Sequence, residues 1–321
     1  MTGDVLDQIR EGCAEVARRA RSVRIDDARL RALAAELAAT PAPASHLDPA
    51  HQDLGSAEAT LAYVLALDAI NFGSGWFPHL RKRPGLSGYF TIATALRERF
   101  EAKGPWSAEE LRGIGAAECA AVFGQDLRSA EAAELMGLFA RALAELGDFV
   151  ATRYGGRFEG PVEEARGSAA RLVEGLARMS CYRDVARYEE LTVAFYKRAQ
   201  LTAADLAAAF RGRGPGRFRD LDRLTLFADN LVPHVLRREG VLEYEASLAA
   251  RVDAEALVAA GSPEEVEIRA AAVHAVERCV AEIARRGGRT TAQALDTVLW
   301  NRGQRPDVKA HPRHRTRSTY Y

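Results

Sequence analysis

Apolar residues recur at three- and four-residue intervals along most of the chain, which is the repeat of an α-helix that buries one face. Over 130–150, Leu135, Phe139, Ala142, Leu146 and Phe149 form one such stripe, and from 184 to 200 Val185, Tyr188, Thr192, Phe195 and Ala199 read as another. The fullest set of signals lies between Ser262 and Gly288. Ser262 stands as N-cap, Pro263 falls in the first turn and Glu265 completes a capping box. Val266, Val273, Val276, Val280 and Ile283 supply the buried face, and Gly287 and Gly288 end the helix. Ser107 and Glu110 repeat the S-x-x-E box. Runs of alternating Val, Ile and Thr are scarce, and GLSGYFTIA at 85–93 is the single strand candidate. Breakers separate the helices at TPAPAS (40–45), RKRPGLSG (81–88), YGGRFEGP (154–161) and GRGPGR (212–217). The pattern predicts an all-α, multi-helix globule with at most a minor β-hairpin and no internal repeat.

Length changes this picture little: 321 residues suffice for a single α-helical domain over 1–321, or for two packed lobes with a cleft between them. Charge narrows it more. Lys and Arg together number 44, as do Asp and Glu, so the net charge is zero. A duplex-binding protein usually carries a basic surplus to neutralise phosphates, so no stable nucleic-acid partner is expected. No apolar run is long enough to span a bilayer, and MTGDVLDQIREG lacks the apolar core of a secretory signal, so a soluble, cytoplasmic protein without a membrane partner is expected. Cys13, Cys119, Cys181 and Cys279 never approach C-x-x-C spacing and read as reduced thiols, with no metal site and no cofactor implied. HExxH, a Walker A loop and G-x-S-x-G are absent. Gly212, Gly214 and Gly216 follow no strand, so they read as a solvated loop and not as a dinucleotide cradle.

Two clusters invite chemistry. ALDAINFGSGWFPHL (66–80) with GYF (88–90) gathers Asn71, Phe72, Trp76, Phe77, Tyr89 and Phe90 around glycines. Aromatic faces stack on planar bases; the same rings could equally fill core at a loop–helix junction. The second cluster pairs AFYKRAQLTAADL (194–206) with LTLFADNLVPHVLRREGVL (224–242). Lys197 sits among Phe195, Tyr196 and Ala199, and Asp229 among Phe227, Ala228 and Leu231, just before Pro233 opens a helix. A charge in apolar surroundings is costly unless paired or used. The plain alternatives are a snorkelling lysine and an N-cap or turn acid.

At these residues the chain resembles the queuosine salvage protein family. The resemblance is carried by INFGSGW, YKRAQLTAADL, LTLFADNLVPHVLRREGVL, SPEEVEIRAAAVHAVE, LDTVLWNRGQ and HRTRSTYY, which cover much of the length in order. It implies a helical fold related to helix-hairpin-helix DNA glycosylases, to whose hairpin turn LRGIG (111–115) is similar. It also implies hydrolysis of queuosine 5′-monophosphate to queuine and ribose 5-phosphate. The family's Lys and Asp blocks fall on Lys197 and Asp229, more widely separated than in glycosylases of the related fold because GRGPGR intervenes. Phe72 and Trp76 match a block near the family's base pocket, with Asn71 and Tyr89 close by in sequence.

The chemistry gives these residues roles. Breaking a C–N glycosidic bond builds positive charge on the sugar, and a carboxylate near C1′, here Asp229, answers it and orients water. A 7-deazaguanine base has no N7 to protonate, so Lys197 is expected to orient Asp229 or to assist another base atom. The 5′-phosphate needs cations, and His314, Arg315 and Arg317 are the densest source; a basic chain end is the alternative. His51 is a further candidate contact to base or sugar. If Asp229 is not the acid, Asp68, Asp253 and Glu267 follow. The competing functions are a DNA or RNA base glycosylase and a non-catalytic helical carrier of queuine or its nucleotide.

Overall fold

The computed structural model describes residues 3–39 and 53–321. His51 and the TPAPAS breaker lie outside the described residues. In chain order the helices are α1 (Val5–Arg19), α2 (Asp27–Ala39), α3 (Ala57–Ala69), α4 (Gly88–Lys103), α5 (Ala108–Gly113), α6 (Ala116–Phe123), α7 (Ala130–Tyr154) and α8 (Gly160–Ala165). They continue with α9 (Ala169–Leu176), α10 (Lys197–Ala209), α11 (Leu231–Arg238), α12 (Ala246–Asp253), α13 (Pro263–Arg285), α14 (Ala292–Gly303) and α15 (Pro306–Lys309). The strands are β1 (Val23–Ile25), β2 (Val185–Tyr188), β3 (Leu191–Ala194) and β4 (Leu242–Tyr244). Among the described residues no helix is long and apolar enough to cross a membrane.

The helices begin where small hydroxyl residues can take up the free amides of a first turn. Ser56, Ser87, Ser107, Ser129, Ser168, Ser262 and Thr291 each accept from the backbone N–H three residues on. Each such cap stabilises its helix by about 1 kcal/mol. The Ser107–Glu110 box is complete in both directions. At Ser262 the return bond differs from the expectation: the Glu265 carboxylate accepts from the Gly261 amide at 3.2 Å. The expected stripe on α7 is buried along its length.

The fold is predominantly helical, as the periodicity predicts, with strands confined to two antiparallel pairs, β1–β4 and β2–β3. Their location corrects two expectations. Residues 85–93 are not a hairpin; Ser87 caps α4 there. The stretch read as one helix over 184–200 is instead the β2–β3 hairpin followed by the start of α10. Its Val, Thr, Leu and Tyr positions suit a pleated surface as well as a helical one, and Glu189, at φ 53°, makes the left-handed turn that a helix interior forbids.

The described residues fall into two compact units. The first comprises 3–39, 184–197 and 220–317. In it α1 and α2 pack on α13, β3 lies against α1, and α11 packs on α14. Gly303 makes that last approach possible, because a Cβ there would stand 2.8 Å from the Leu231 side chain. The second unit comprises 53–183, 198–219 and 318–321, with α7 contacting α3, α5, α6 and α8. At Gly147 a Cβ would meet the Ala108 carbonyl at 2.6 Å, so glycine lets α5 lie directly on α7.

Candidate functional site

The loop that leads into α11 carries Asp229. Its Oδ1 accepts from the amides of Leu231 at 2.8 Å and Val232 at 3.1 Å, so it takes up the free N–H groups of the helix start. The carboxylate thus stands at the end of the helix that carries partial positive charge. Its Oδ2 has no hydrogen-bond partner among the described residues, and the side chain is half-buried. Capping and chemistry are therefore not alternatives here: one oxygen caps and the other is available. The loop itself is pinned twice. The Phe227 amide donates to Asp296 Oδ1 at 3.1 Å, and Arg269 Nε donates to the Ala228 carbonyl at 3.0 Å.

Arg269 connects this loop to Lys197. Its two terminal nitrogens clasp the Asp184 carboxylate at 2.9 and 2.6 Å, and its guanidinium lies 3.9 Å from the Phe195 ring centroid. Asp184 in turn accepts from the Lys197 amide at 3.1 Å, and its carbonyl receives the amides of Phe195 and Tyr196. Tyr196 stands at φ 46°, a left-handed conformation that favours glycine and is tolerated only where its surroundings enforce it. Asp184 and Arg269 are 3 % and 2 % exposed, so the pair is desolvated and bidentate. One buried network thus fixes both Lys197, 7 % exposed at the first position of α10, and the segment bearing Asp229.

Electrostatics single out three further groups. Burial pushes the Asp296 carboxyl well above the usual carboxylate range, the negative charge of Asp229 adds to that, and the Phe227 amide and Lys197 oppose it. Burial lowers Arg313, and the Asp229 carboxylate opposes this, so Arg313 is a C-terminal cation within electrostatic reach of Asp229. His314 is fully enclosed and pushed down to about 3 by burial, then by the charges of Arg269 and Arg313 and by His234. It is a neutral ring at pH 7, not a cation. The chain end is no loose tail: His314, Thr316 and Ser318 are buried and alternate with half-buried Arg313, Arg315 and Arg317. Arg315 donates to the Glu255 carbonyl at 2.6 Å, and its own carbonyl receives the Val258 amide.

In the second unit the aromatic cluster divides. Phe72 and Trp76 are 3 % and 2 % exposed. Phe72 meets Phe139 edge-on, and the Arg198 guanidinium covers it at 4.9 Å, while Trp76 Nε1 donates to Glu134 at 2.8 Å. These rings are core. Arg198, itself buried, donates to the carbonyls of Asp68 and Ala69 at the end of α3 and to that of Cys181. Asn71 and Tyr89 are half-buried. Asn71 donates to Asp68 at 3.4 Å, and the Tyr89 hydroxyl is held well above the usual phenol range by burial, then by the carboxylates of Asp205 and Asp68.

The reserve acids are accounted for differently. Glu267 accepts three consecutive amides, Arg21, Ser22 and Val23, and the Tyr188 hydroxyl, which makes it the anchor of β1. Asp253 is exposed and paired with Arg237 at 3.0 Å, and Asp68 is fully buried. Sequence reasoning passed over Asp184, Arg269, Asp296 and Arg313. The signal that marked Lys197, a charge among apolar residues, is present at Arg269 between Ile268 and Ala270 and at Asp296 near Leu295, Val298 and Leu299.

The chain is similar to known proteins over most of its length. Residues 50–321 match the family model described as queuosine salvage protein. The chain is 38% identical over 269 residues to a queuosine 5′-phosphate N-glycosylase/hydrolase of Sphaerobacter thermophilus, covering 82% of each chain. It is 30% identical over 335 residues to the protein of that name from Mus musculus, covering 97% of this chain and 98% of the relative. A third, from Dictyostelium discoideum, is 31% identical over 82% of this chain and 79% of its own.

Proposed function

Because the chain belongs to the queuosine salvage protein family, we propose that it is a hydrolase of N-glycosyl bonds that converts queuosine 5′-phosphate to queuine and ribose 5-phosphate. The observation that carries this reading beyond the relatives' names is Asp229, a carboxylate with one oxygen fixed by a helix start and the other unengaged. As the glycosidic bond lengthens, positive charge gathers at C1′ and the ring oxygen. A fixed carboxylate stabilises that charge without having to reorganise, and it orients the water that completes hydrolysis. The departing 7-deazaguanine leaves with negative charge. Lys197, set by the Asp184–Arg269 pair, places a cation in the same unit to balance it or to orient Asp229. Arg313, already within electrostatic reach of Asp229, is the leading cation for the 5′-phosphate, ahead of Arg315 and Arg317.

Zero net charge favours a small nucleotide over a polynucleotide, and free cysteines accord with a reducing cytosolic setting. The test is incubation with queuosine, its 5′-phosphate and guanosine monophosphate, with free base read by mass spectrometry. Queuine should appear fastest from the 5′-phosphate. Release from none of the three would sink the enzyme reading and leave the carrier.

A further inference from the structure

A cavity of about 600 Å³ opens in the first unit between α1, the β1–β4 pair and α13, a volume that holds a small organic molecule. Its α1 and β1 walls precede residue 50, where the family match begins. Residues three and four apart on a helix share a face, so Ala14, Ala17 and Arg18 of α1 line it together, as do His274 and Arg278 of α13. The adjoining stripe of α1, with Leu6, Ile9, Cys13 and Val16, is buried. Space remains because alanines stand at 14, 17 and 20, where larger side chains would fill it. The rim is fixed: Glu267 accepts the amides of Arg21, Ser22 and Val23, and the Glu245 amide donates to the Ser22 carbonyl at 2.8 Å.

The polar groups of the lining favour an anion. Four arginines, Arg18, Arg21, Arg24 and Arg278, stand against two acids, Glu243 and Glu245. Each arginine has a carboxylate partner, but Glu15, Glu189 and Asp27, which pair with Arg18, Arg21 and Arg278, lie outside the lining. Arg21, Arg24 and Arg278 reach their partners through a single terminal nitrogen, and the rest of each guanidinium has no partner among the described residues. Ion pairs of this kind near the surface are weakly held. A phosphate, with three oxygens and about two negative charges, can engage more than one such fork at a time. Neutral groups complete the wall. The Tyr244 hydroxyl is buried, and neither it, the His274 ring nor the Ser22 hydroxyl has a hydrogen-bond partner among the described residues. A free phosphate ion would occupy a small part of this volume, and Ala14, Ala17, Val23 and Ile25 offer apolar contact to the remainder of a larger ligand. We infer that the cavity is a binding site for a small phosphorylated organic molecule, its phosphate held by the arginines of the rim and its organic body lying on the alanines of α1. None of its lining residues belongs to the Asp229 loop or to the Asp184–Arg269 pair, so the inference does not depend on the proposed hydrolysis.

Calorimetry on the full chain tests this with adenosine 5′-monophosphate and ribose 5-phosphate, against adenosine, ribose and inorganic phosphate as controls. At least one organic phosphate should bind, its unphosphorylated counterpart should not, and inorganic phosphate should bind more weakly. Arg24→Gln combined with Arg278→Gln should weaken that binding by about 10-fold or more, the loss expected for charge-assisted contacts. Ala17→Leu fills the cavity without removing a charge and should weaken it as well. Leucine is a good helix former and position 17 is half-buried, so this variant keeps the fold. Asp229→Asn should leave the affinity unchanged, which separates this cavity from the candidate site. Failure of both organic phosphates to bind at millimolar concentration overturns the inference. So does binding that either cavity variant leaves unchanged, or that Asp229→Asn abolishes. Equal affinity for inorganic phosphate would mean an adventitious ion only and overturns it too.

Discussion

The amides of Leu231 and Val232 fix one oxygen of Asp229, and that fixing determines where the other stands. Replacing Asp229 by Asn keeps the cap geometry and removes the charge. Turnover should fall by about 10²–10⁴, while thermal stabilisation by queuine persists, because the free base carries no sugar cation; near-normal turnover in a folded variant would reject the assignment. At Arg313 the expectation concerns substrate choice. A charge-assisted contact to phosphate contributes roughly 1.5–3 kcal/mol, so Arg313→Ala should cut the preference for the 5′-phosphate over the nucleoside by about 10- to 100-fold. An unchanged ratio of the two kcat/KM values would move the phosphate elsewhere. His314 titrates near 6.5 when unfolded and near 3 when folded, so it binds its proton only on unfolding across that window. Stability is therefore complete above the unfolded value and is lost as pH falls through the window. It should drop by about 2 kcal/mol between about pH 7 and about pH 5 on this account, and urea titrations of His314→Gln should show correspondingly less of that loss.

Among the elements, α13 bears most on the candidate site, because Arg269 joins it to the residues flanking the β2–β3 hairpin and to the loop before α11. Removing one partner of such an enclosed pair strands the other, a penalty of about 3–5 kcal/mol. Arg269→Met should lower unfolding free energy by that amount in urea titrations. Asp184→Leu combined with Arg269→Met should recover part of it, since the stranded Asp184 carboxylate is then removed; Glu265, which stands 3.6 Å from Arg269, keeps the recovery partial. Recovery of stability without recovery of turnover would show that the network's role is to place Lys197 and Asp229. Equal loss in the single and double variants would show that shape, not charge, holds these elements together.

For the whole molecule, 44 basic and 44 acidic side chains give no net positive charge to gather a polynucleotide. Duplex DNA should not be retained in gel shifts at micromolar protein near physiological salt, where duplex-binding proteins of basic character hold on non-specifically. Salt-sensitive retention would favour the base-glycosylase alternative. The two compact units recruit segments that alternate along the chain, 184–197 and 220–317 in one and 198–219 in the other. Helix assignments alone contain nothing of that division, since it depends on which buried faces meet.

Local signals determined a good deal on their own. Ser107, Ser129 and Ser262 mark helix starts because a hydroxyl satisfies a first-turn amide whatever lies further off. The α7 stripe predicts burial because the 3.6-residue repeat places those side chains on one face. Lys197 and Asp229 stood out as charges amid apolar neighbours, and the ordered blocks tied them to a family. The hairpin at 185–194 was not legible, because Val, Thr and Tyr at those spacings satisfy a helix face and a strand alike. The clasp of Asp184 by Arg269 was not either, nor the approach of Asp296 to the Asp229 loop, with the first pair 85 positions apart in sequence and Asp296 and Phe227 69 positions apart. Whether a buried charge has a counterpart depends on distance and solvent exposure, which only the folded chain supplies.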